Sequence, residues 1–196
     1  MPMLSGNSIT EVIRQRRSIF PKDYSGESVD AEHIELMLEN AHWAPNHGRT
    51  EPWHFVVLHS EDARKTFGEA HAQLYQMETP TEDFKQDKFE KLRRRPLECA
   101  CLIMICMKRG SNPKIPEIEE IEAVACAVQN MHLTATGLGI GAYWSTGGMV
   151  YHDGMKKLLD LGEEDKCLGM MMIGMPGRGW PEGRRNSEWR DHVEWK

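Results

Sequence analysis

The run Ala100-Cys101-Leu102-Ile103-Met104-Ile105-Cys106-Met107 is uninterrupted apolar sequence and is the stretch that most strongly decides the fold. An apolar run of this length is typical of a strand that other elements cover on both faces. It is far shorter than the roughly 20 apolar residues that a helix needs to span a bilayer. We therefore predict that these residues form a central strand in a layered fold.

Strand and helix patterns alternate on either side of this run. Residues 53–58, 142–145 and 168–175 are three further apolar runs, and each predicts a strand. Helices are predicted up to Arg16, from Asp30 to before Pro45, from Asp62 through Leu74, within 79–95, at 116–136 and around 152–161. No hairpin signal joins neighbouring strands, so the pattern predicts an α/β sandwich. The length of 196 residues predicts a single domain over 1–196.

Charge and cysteine content narrow the class of function. The formal net charge is -6, which argues against nucleic-acid binding, because that function needs concentrated Lys and Arg. No apolar run has the length of a membrane span, and residues 1–18 contain none of signal-peptide length, so we expect a cytoplasmic protein with no membrane partner. The five cysteines include no CxxC pair. They favour reduced thiols over a disulfide framework or a structural zinc.

A cationic motif, Arg16-Arg17-Ser18, is predicted at the end of the first helix. Two guanidinium groups and a hydroxyl suit a phosphate dianion, which Arg can hold with two parallel hydrogen bonds. An Arg pair at a helix end also serves as a solvated cap that complements the helix dipole. Arg184-Arg185 near the C-terminus carries the same two interpretations.

The loop Ala44-Pro45-Asn46-His47-Gly48-Arg49-Thr50-Glu51-Pro52-Trp53-His54-Phe55 places polar donors between two prolines and continues directly into a strand. Loops held on a rigid scaffold often bind ligands. The alternative is an ordinary helix-to-strand connection in which His47 and Arg49 face water.

Four segments together resemble the motifs of the FMN-dependent nitroreductase family. Arg16-Arg17-Ser18 resembles its N-terminal RRS motif, and the loop before Phe55 resembles its flavin-binding loop. The Gly-rich stretch 137–148, followed by a helix and a strand ending in Gly174-Met175-Pro176, resembles its third signature. Arg184-Arg185 falls where its C-terminal phosphate contact lies. Order and spacing match over nearly the whole chain, which is similar to a small NAD(P)H nitroreductase.

The resemblance implies an α+β fold, in which a central mixed, mainly antiparallel sheet is flanked by helices. It also implies a homodimer with FMN at the interface, so that both chains contact each flavin. Arg16, Ser18 and Arg185 would hold the phosphate with Arg17 assisting, Trp43, Pro45, His47 and Arg49 would come from the partner subunit, and Trp144, Ser145, Thr146, Gly147 and Gly148 would line the isoalloxazine.

The implied activity is transfer of hydride from NADH or NADPH through the flavin, in ping-pong order, to a nitroaromatic, quinone or related electrophilic small molecule. Arg49 is the candidate cation for flavin N1 and O2, and a backbone amide of Gly147 or Gly148 is the candidate partner of N5. Because the cofactor carries the chemistry, no side-chain acid or base is predicted, and no metal. The donor preference stays open, because residues 137–141 lack the GxGxxG spacing and follow a helix.

Four positions depart from the family pattern. Phe20 stands where many members have a second basic residue, His47 and Arg49 stand where Ser and Asn are common, and Glu51 replaces a frequent Gln. These differences leave the contact to N1 and O2 undecided.

Three other functions fit parts of the sequence. A metal-dependent hydrolase is suggested by His42, His47, His54 and His59, although their spacing fits poorly with ligand pairs on a helix. A flavin-binding or flavin-consuming protein without nicotinamide turnover is the second, and a dimeric interaction module with a Trp-rich tail is the third. The charged segment 79–95 is predicted to be a surface helix or cover over the substrate side.

Overall fold

The computed structural model describes residues 8–196. Residues 1–7 lie outside the described residues. They belong to the stretch 1–18, in which the sequence analysis found no apolar run of signal-peptide length. The helices are α1 Ser8–Gln15, α2 Ala31–His42, α3 Glu61–Glu78, α4 Gln86–Arg94, α5 Glu117–Gly137 and α6 Asp153–Leu158, and the strands are β1 Trp53–Leu58, β2 Cys101–Met107, β3 Gly141–Ser145 and β4 Lys166–Gly174.

The four strands form one sheet in the order β1-β2-β4-β3, and each neighbouring pair is antiparallel. Phe55 lies opposite Ile105, and Ile173 lies between Cys101 on β2 and Ala142 on β3. A single parallel bridge joins Ser18 to Ala142 at the free edge of β3. The sheet is therefore antiparallel in its strands, with a parallel contact from the N-terminal segment.

Helices cover both faces of the sheet. Met37 of α2 and Val124 and Met131 of α5 belong to the apolar cluster on one face, and Phe67 and Leu74 of α3 belong to the cluster on the other. Every side chain of β2 is buried, because alternate residues point into the two clusters. The predicted α+β sandwich and its central strand are confirmed.

Several predicted boundaries were wrong by a few residues. The α2 helix ends at His42 rather than just before Pro45, since the residue before a proline is disfavoured in helical conformation. The α6 helix stops at Leu158, followed by Asp160 in a left-handed conformation. The β4 strand begins at Lys166, which pairs with Met107 at the end of β2.

The charged segment 79–95 contains the helix α4, which confirms the helical part of that prediction. Its apolar residues Phe89 and Leu92 pack with Tyr75 of α3 and Phe84. Four of the five cysteines are buried, whereas Cys126 is exposed on α5. Among residues 8–196, no helix has the length and apolar character to cross a membrane.

Candidate functional site

Two arginines of the segment after α1 lie close to a third arginine, from the C-terminal tail, once the chain is folded. The backbone of this segment is fixed to the edge of the sheet, because the Ile19 amide donates to the Ala142 carbonyl at 3.1 Å. Burial, together with the charges of Arg185 and Arg17, lowers the pKa of Arg16. We call Arg16, Arg17 and Arg185 the cationic cluster. Within the described residues, no Asp or Glu forms an ion pair with any of the three.

Arg17 connects this cluster to the C-terminal tail. Its Nε donates to the Pro181 carbonyl at 3.0 Å, and its Nη1 donates to the carbonyls of Arg14 and Arg16. The Trp180 indole N–H donates to the Gln15 carbonyl at 2.7 Å. Because these donors are engaged with backbone, Arg17 is placed to hold the tail, and the tail brings Arg185 to Arg16.

His132 of α5 is a buried neighbour of the cluster that the sequence analysis missed. Its Nδ1 is buried without a hydrogen-bond partner in the described part of the chain. Burial and the charge of Arg16 lower its pKa to about 4, so the imidazole is neutral at pH 7. The signal was available, because a polar residue lies beside Val128, Met131 and Ala135 on the buried side of a helix.

The loop between α2 and β1 has an unusual backbone. Gly48, Arg49 and Glu51 all have positive φ, at 62°, 55° and 45°. For the two non-glycine residues this conformation costs roughly 1–3 kcal/mol each, and such strain tends to occur at functional sites. The Asn46 side chain accepts from the Glu51 amide at 3.1 Å, and His47 Nδ1 lies 2.5 Å from a carboxylate oxygen of Glu119 on α5.

The predicted ligand residues of this loop face outward. Trp43 is 79% exposed, and Pro45, His47 and Arg49 are also exposed. Arg49 forms no ion pair within residues 8–196. The loop therefore presents an aromatic ring and a cation that nothing in the described chain covers.

The loop and the cationic cluster contact different ends of α5. His47 meets Glu119 near its start, whereas Arg16 acts on His132 nearer its end. At 1.5 Å per residue these two positions are about 20 Å apart along the helix axis. Within one chain the predicted residues of the loop are therefore far from the cationic cluster. This separation is expected if the loop and the cluster of one chain belong to two different sites.

The turn after β3 exposes backbone rather than side chains. Trp144 donates its indole N–H to the Leu168 carbonyl at 3.1 Å, and its ring covers Gly169 in the sheet. Ser145 is buried, and its hydroxyl accepts from the Gly147 amide at 3.4 Å. Thr146, Gly147 and Gly148 are exposed. Of the predicted lining residues, Trp144 is therefore engaged in packing, and the exposed surface is the backbone of residues 146–148.

His71 of α3 holds this turn and was also missed by the sequence analysis. Its Nε2 accepts from the Met149 amide at 3.0 Å. Burial, and the charges of Arg95 and Lys88, lower its pKa to about 4, which keeps the ring neutral and able to accept. Gly148 has φ of 79°, and a Cβ there would lie 2.5 Å from His71 Nε2.

A cavity of about 270 Å³ lies between this turn and α4. Ser145, Gly147 and Gly148 line one side, and the other side is formed by α4 and the residues that follow it. The predicted segment 79–95 thus contributes a wall beside the proposed flavin contacts. Its action as a cover over substrate stays a prediction.

Three of the four histidines behind the metal hypothesis have other contacts. His42 Nδ1 accepts from the Trp53 indole at 3.2 Å, His47 contacts Glu119, and a ring nitrogen of His59 lies 3.0 Å from the Val29 carbonyl. Over the part of the chain that the structure describes, no group of three or more His, Cys, Asp or Glu residues is arranged to hold a metal ion.

Comparison with known proteins identifies the family of the chain. The sequence profile of the nitroreductase family matches residues 13–175. The chain belongs to the nitroreductase family. A relative from Bacillus subtilis, named "Putative NAD(P)H nitroreductase YfhC", is 26% identical over 185 residues, which are 94% of this chain and 92% of the relative.

Solved structures share the nitroreductase fold. A nitroreductase-like family protein from Bacillus cereus aligns with a TM-score of 0.84 and 26% identity, covering 99% of this chain and 98% of that one. A Desulfovibrio desulfuricans protein, titled as a putative nitroreductase in complex with FMN, aligns with a TM-score of 0.73 and 24% identity over 98% of each chain. A Bacteroides fragilis nitroreductase with bound FMN aligns with a TM-score of 0.70 and 21% identity, over 97% of this chain and 100% of that one.

Proposed function

We propose that this nitroreductase-family chain is an FMN-dependent oxidoreductase that takes hydride from NADH or NADPH and reduces nitroaromatic, quinone or related electrophilic molecules. The observation that carries the proposal is the cationic cluster without an acidic partner in the described chain. The name of the Bacillus subtilis relative supports a nicotinamide donor, and the FMN bound to two structural neighbours supports this cofactor.

The cluster fits the phosphate of FMN. Arg16 and Arg185 repel each other in the protein alone, and a dianion between them would turn this repulsion into attraction. Their guanidinium groups and the Ser18 hydroxyl supply the donors for charge-assisted hydrogen bonds. Arg17 would act mainly by holding the tail through its bond to Pro181.

The exposed turn fits the flat ring of the cofactor. Residues 146–148 offer backbone close to the sheet edge, and the two glycines allow another molecule to approach that backbone. When bound, FMN would supply two-electron transfer between the nicotinamide and the acceptor. The chain would supply orientation, with the turn fixed by the bond from Met149 to His71.

We also propose a homodimer, in which the Trp43, Pro45, His47 and Arg49 side chains contact the flavin held by the other chain. Their exposure and their distance from the cationic cluster along α5 support this arrangement. Each chain would be a single domain over 1–196. The four buried free cysteines suit a reducing compartment, and we propose the cytoplasm.

A flavin-binding protein without nicotinamide turnover is the second candidate. Not every relative carries a nitroreductase name, since a Rhodospirillum rubrum protein named 5,6-dimethylbenzimidazole synthase is 24% identical over 89% of this chain and 85% of its own. Turnover with a nicotinamide distinguishes the two functions.

The test is reconstitution followed by steady-state kinetics. We expect the purified chain to bind FMN stoichiometrically and to oxidise NADH or NADPH when menadione or a nitrofuran is added. FMN binding without oxidation of either nucleotide would support the second candidate instead. A protein that binds no FMN would contradict both and favour an interaction module.

A further inference from the structure

Three cationic side chains line the cavity beside the 146–148 turn. Lys88, Lys91 and Arg95 line its α4 side, and their spacing of three and four residues places them on one side of the helical segment. None of the three forms an ion pair within residues 8–196. The acid between them in sequence, Glu90, is bound to Arg93 at 2.6 Å.

Two of these cations are held in place by aromatic rings. Lys88 Nζ lies 4.3 Å from the centre of the Tyr75 ring, and the Arg95 guanidinium lies 5.8 Å from the centre of the Tyr143 ring. Such contacts restrain long side chains that would otherwise be free in solvent.

The rest of the lining is mainly apolar. Leu92, Pro96 and Met170 contribute the apolar surface, and no carboxylate lines the cavity. Its volume of about 270 Å³ suits a small substituted ring better than a whole dinucleotide. The complementary ligand is therefore a small, largely apolar molecule with an anionic group.

We propose that this cavity is the acceptor site, and that it selects acceptors bearing a carboxylate or another anionic group next to the reducible ring. The proposal rests on the proposed function, because it takes the 146–148 turn as the place where the flavin ring lies. For a nitro acceptor the balanced step is R–NO₂ + NAD(P)H + H⁺ giving R–NO + NAD(P)⁺ + H₂O. The anionic group on R is unchanged by it and serves only for binding.

The test compares 4-nitrobenzoate with 4-nitrobenzamide, which have similar shapes and differ in charge. With the FMN-loaded protein we expect kcat/KM to be about tenfold higher for the carboxylate, the size expected for charge-assisted hydrogen bonds. In the Lys88→Gln/Lys91→Gln double variant, the ratio should fall by about tenfold. Added salt should reduce the ratio in the unmodified protein, since screening weakens an exposed charge interaction.

The matched control is Lys65→Gln/Lys157→Gln, which removes the same charge from two exposed lysines outside the cavity. We expect it to keep the original ratio. The proposal is wrong if both double variants change the ratio equally, which would indicate an effect of net charge. It is also wrong if Lys88→Gln/Lys91→Gln slows both acceptors equally, or changes only the KM for NADH or NADPH, because the cations would then serve the flavin or the nucleotide.

A binding measurement separates this proposal from the proposed function. Calorimetric titration of the FMN-loaded protein with benzoate and with benzamide requires no turnover. We expect tighter binding of benzoate, lost in Lys88→Gln/Lys91→Gln, even if neither nucleotide reduces the flavin. Equal affinity for the two ligands would overturn the anionic selectivity while leaving the proposed function intact.

Discussion

At the scale of residues, the two neighbouring arginines after α1 have different tasks. Arg16 is half-buried, and burial and the charges of Arg185 and Arg17 lower its pKa, so it gains most from an anion. Arg17 is bonded to backbone carbonyls on both sides of the contact between α1 and the tail. A motif that looks like two equivalent phosphate ligands in sequence therefore contains one ligand candidate and one residue that positions the tail.

The first prediction concerns Arg16. Arg16→Ala should weaken FMN binding by about tenfold to a hundredfold, because a charge-assisted hydrogen bond contributes about 1.5–3 kcal/mol. Equilibrium dialysis or flavin fluorescence would measure the dissociation constant. Arg14→Ala, which removes an exposed arginine of α1, is the control, and equal FMN affinity in the two variants would refute the assignment.

The second prediction concerns His132 and pH. Its pKa is lowered to about 4 from the ordinary 6.5, so the unfolded chain binds the proton more readily than the folded chain. The free energy of unfolding therefore carries no penalty from His132 above pH 6.5. It decreases as the pH falls from 6.5 towards 4, because the unfolded chain takes up the proton first. At pH 5 the loss is about 2 kcal/mol.

Urea unfolding at pH 7 and pH 5, with protein and FMN concentrations held constant, would measure this loss of stability. His132→Gln cannot titrate, so its free energy of unfolding should fall by about 2 kcal/mol less than that of the unmodified protein between these pH values. The same fall in both proteins would show that His132 is not a buried neutral group.

At the scale of elements, the site depends on how α3, α4 and α5 hold short irregular segments. The α5 helix separates the loop from the cationic cluster, α3 fixes the 146–148 turn through His71, and α4 walls the cavity. Because regular elements carry these contacts, packing against them helps to place the strained loop and the turn.

The third prediction tests the turn. Gly148→Ala should destabilise the protein by about 1–3 kcal/mol, because residue 148 has a positive φ and a new Cβ would meet the His71 ring. Gly137→Ala at the end of α5 is the control, since no atom lies within 4 Å of its Cβ position and its φ is not positive. Thermal melting would compare the two, and equal melting temperatures would contradict the tight contact.

The periodicity of the sequence was sufficient for most elements and insufficient for the parts of the site that depend on distant contacts. Trp53–Leu58 was predicted with its observed bounds because its aromatic and β-branched residues are preceded by Pro52 and followed by polar residues. The packing of the Trp144 ring on Gly169 was not predicted, because it depends on the pairing of β3 with β4. The same applies to His71 and His132, whose partners come from other elements.

At the scale of the whole molecule, the cations are concentrated in two places. The chain is acidic overall, with a formal net charge of -6, yet its cations gather at the end of α1 and along α4. The exposed loop lies at the opposite end of α5 from the cationic cluster, so within one chain its side chains do not reach that cluster. A second copy that brings its loop to the first copy's cluster would complete the site.

The fourth prediction follows from this arrangement. Light scattering coupled to size-exclusion chromatography should give twice the mass of one chain, and the dimer should retain FMN. A monomer that retains one FMN per chain would contradict the proposed contribution of Trp43 and Arg49 from the partner subunit.

The most direct test of the central claim is anaerobic stopped-flow absorbance of the FMN-loaded protein mixed with NADH or NADPH, without any acceptor. We expect rapid loss of the oxidised-flavin band with at least one nucleotide, and its return when an acceptor is added. A bound flavin that neither nucleotide bleaches would contradict the proposed oxidoreductase function.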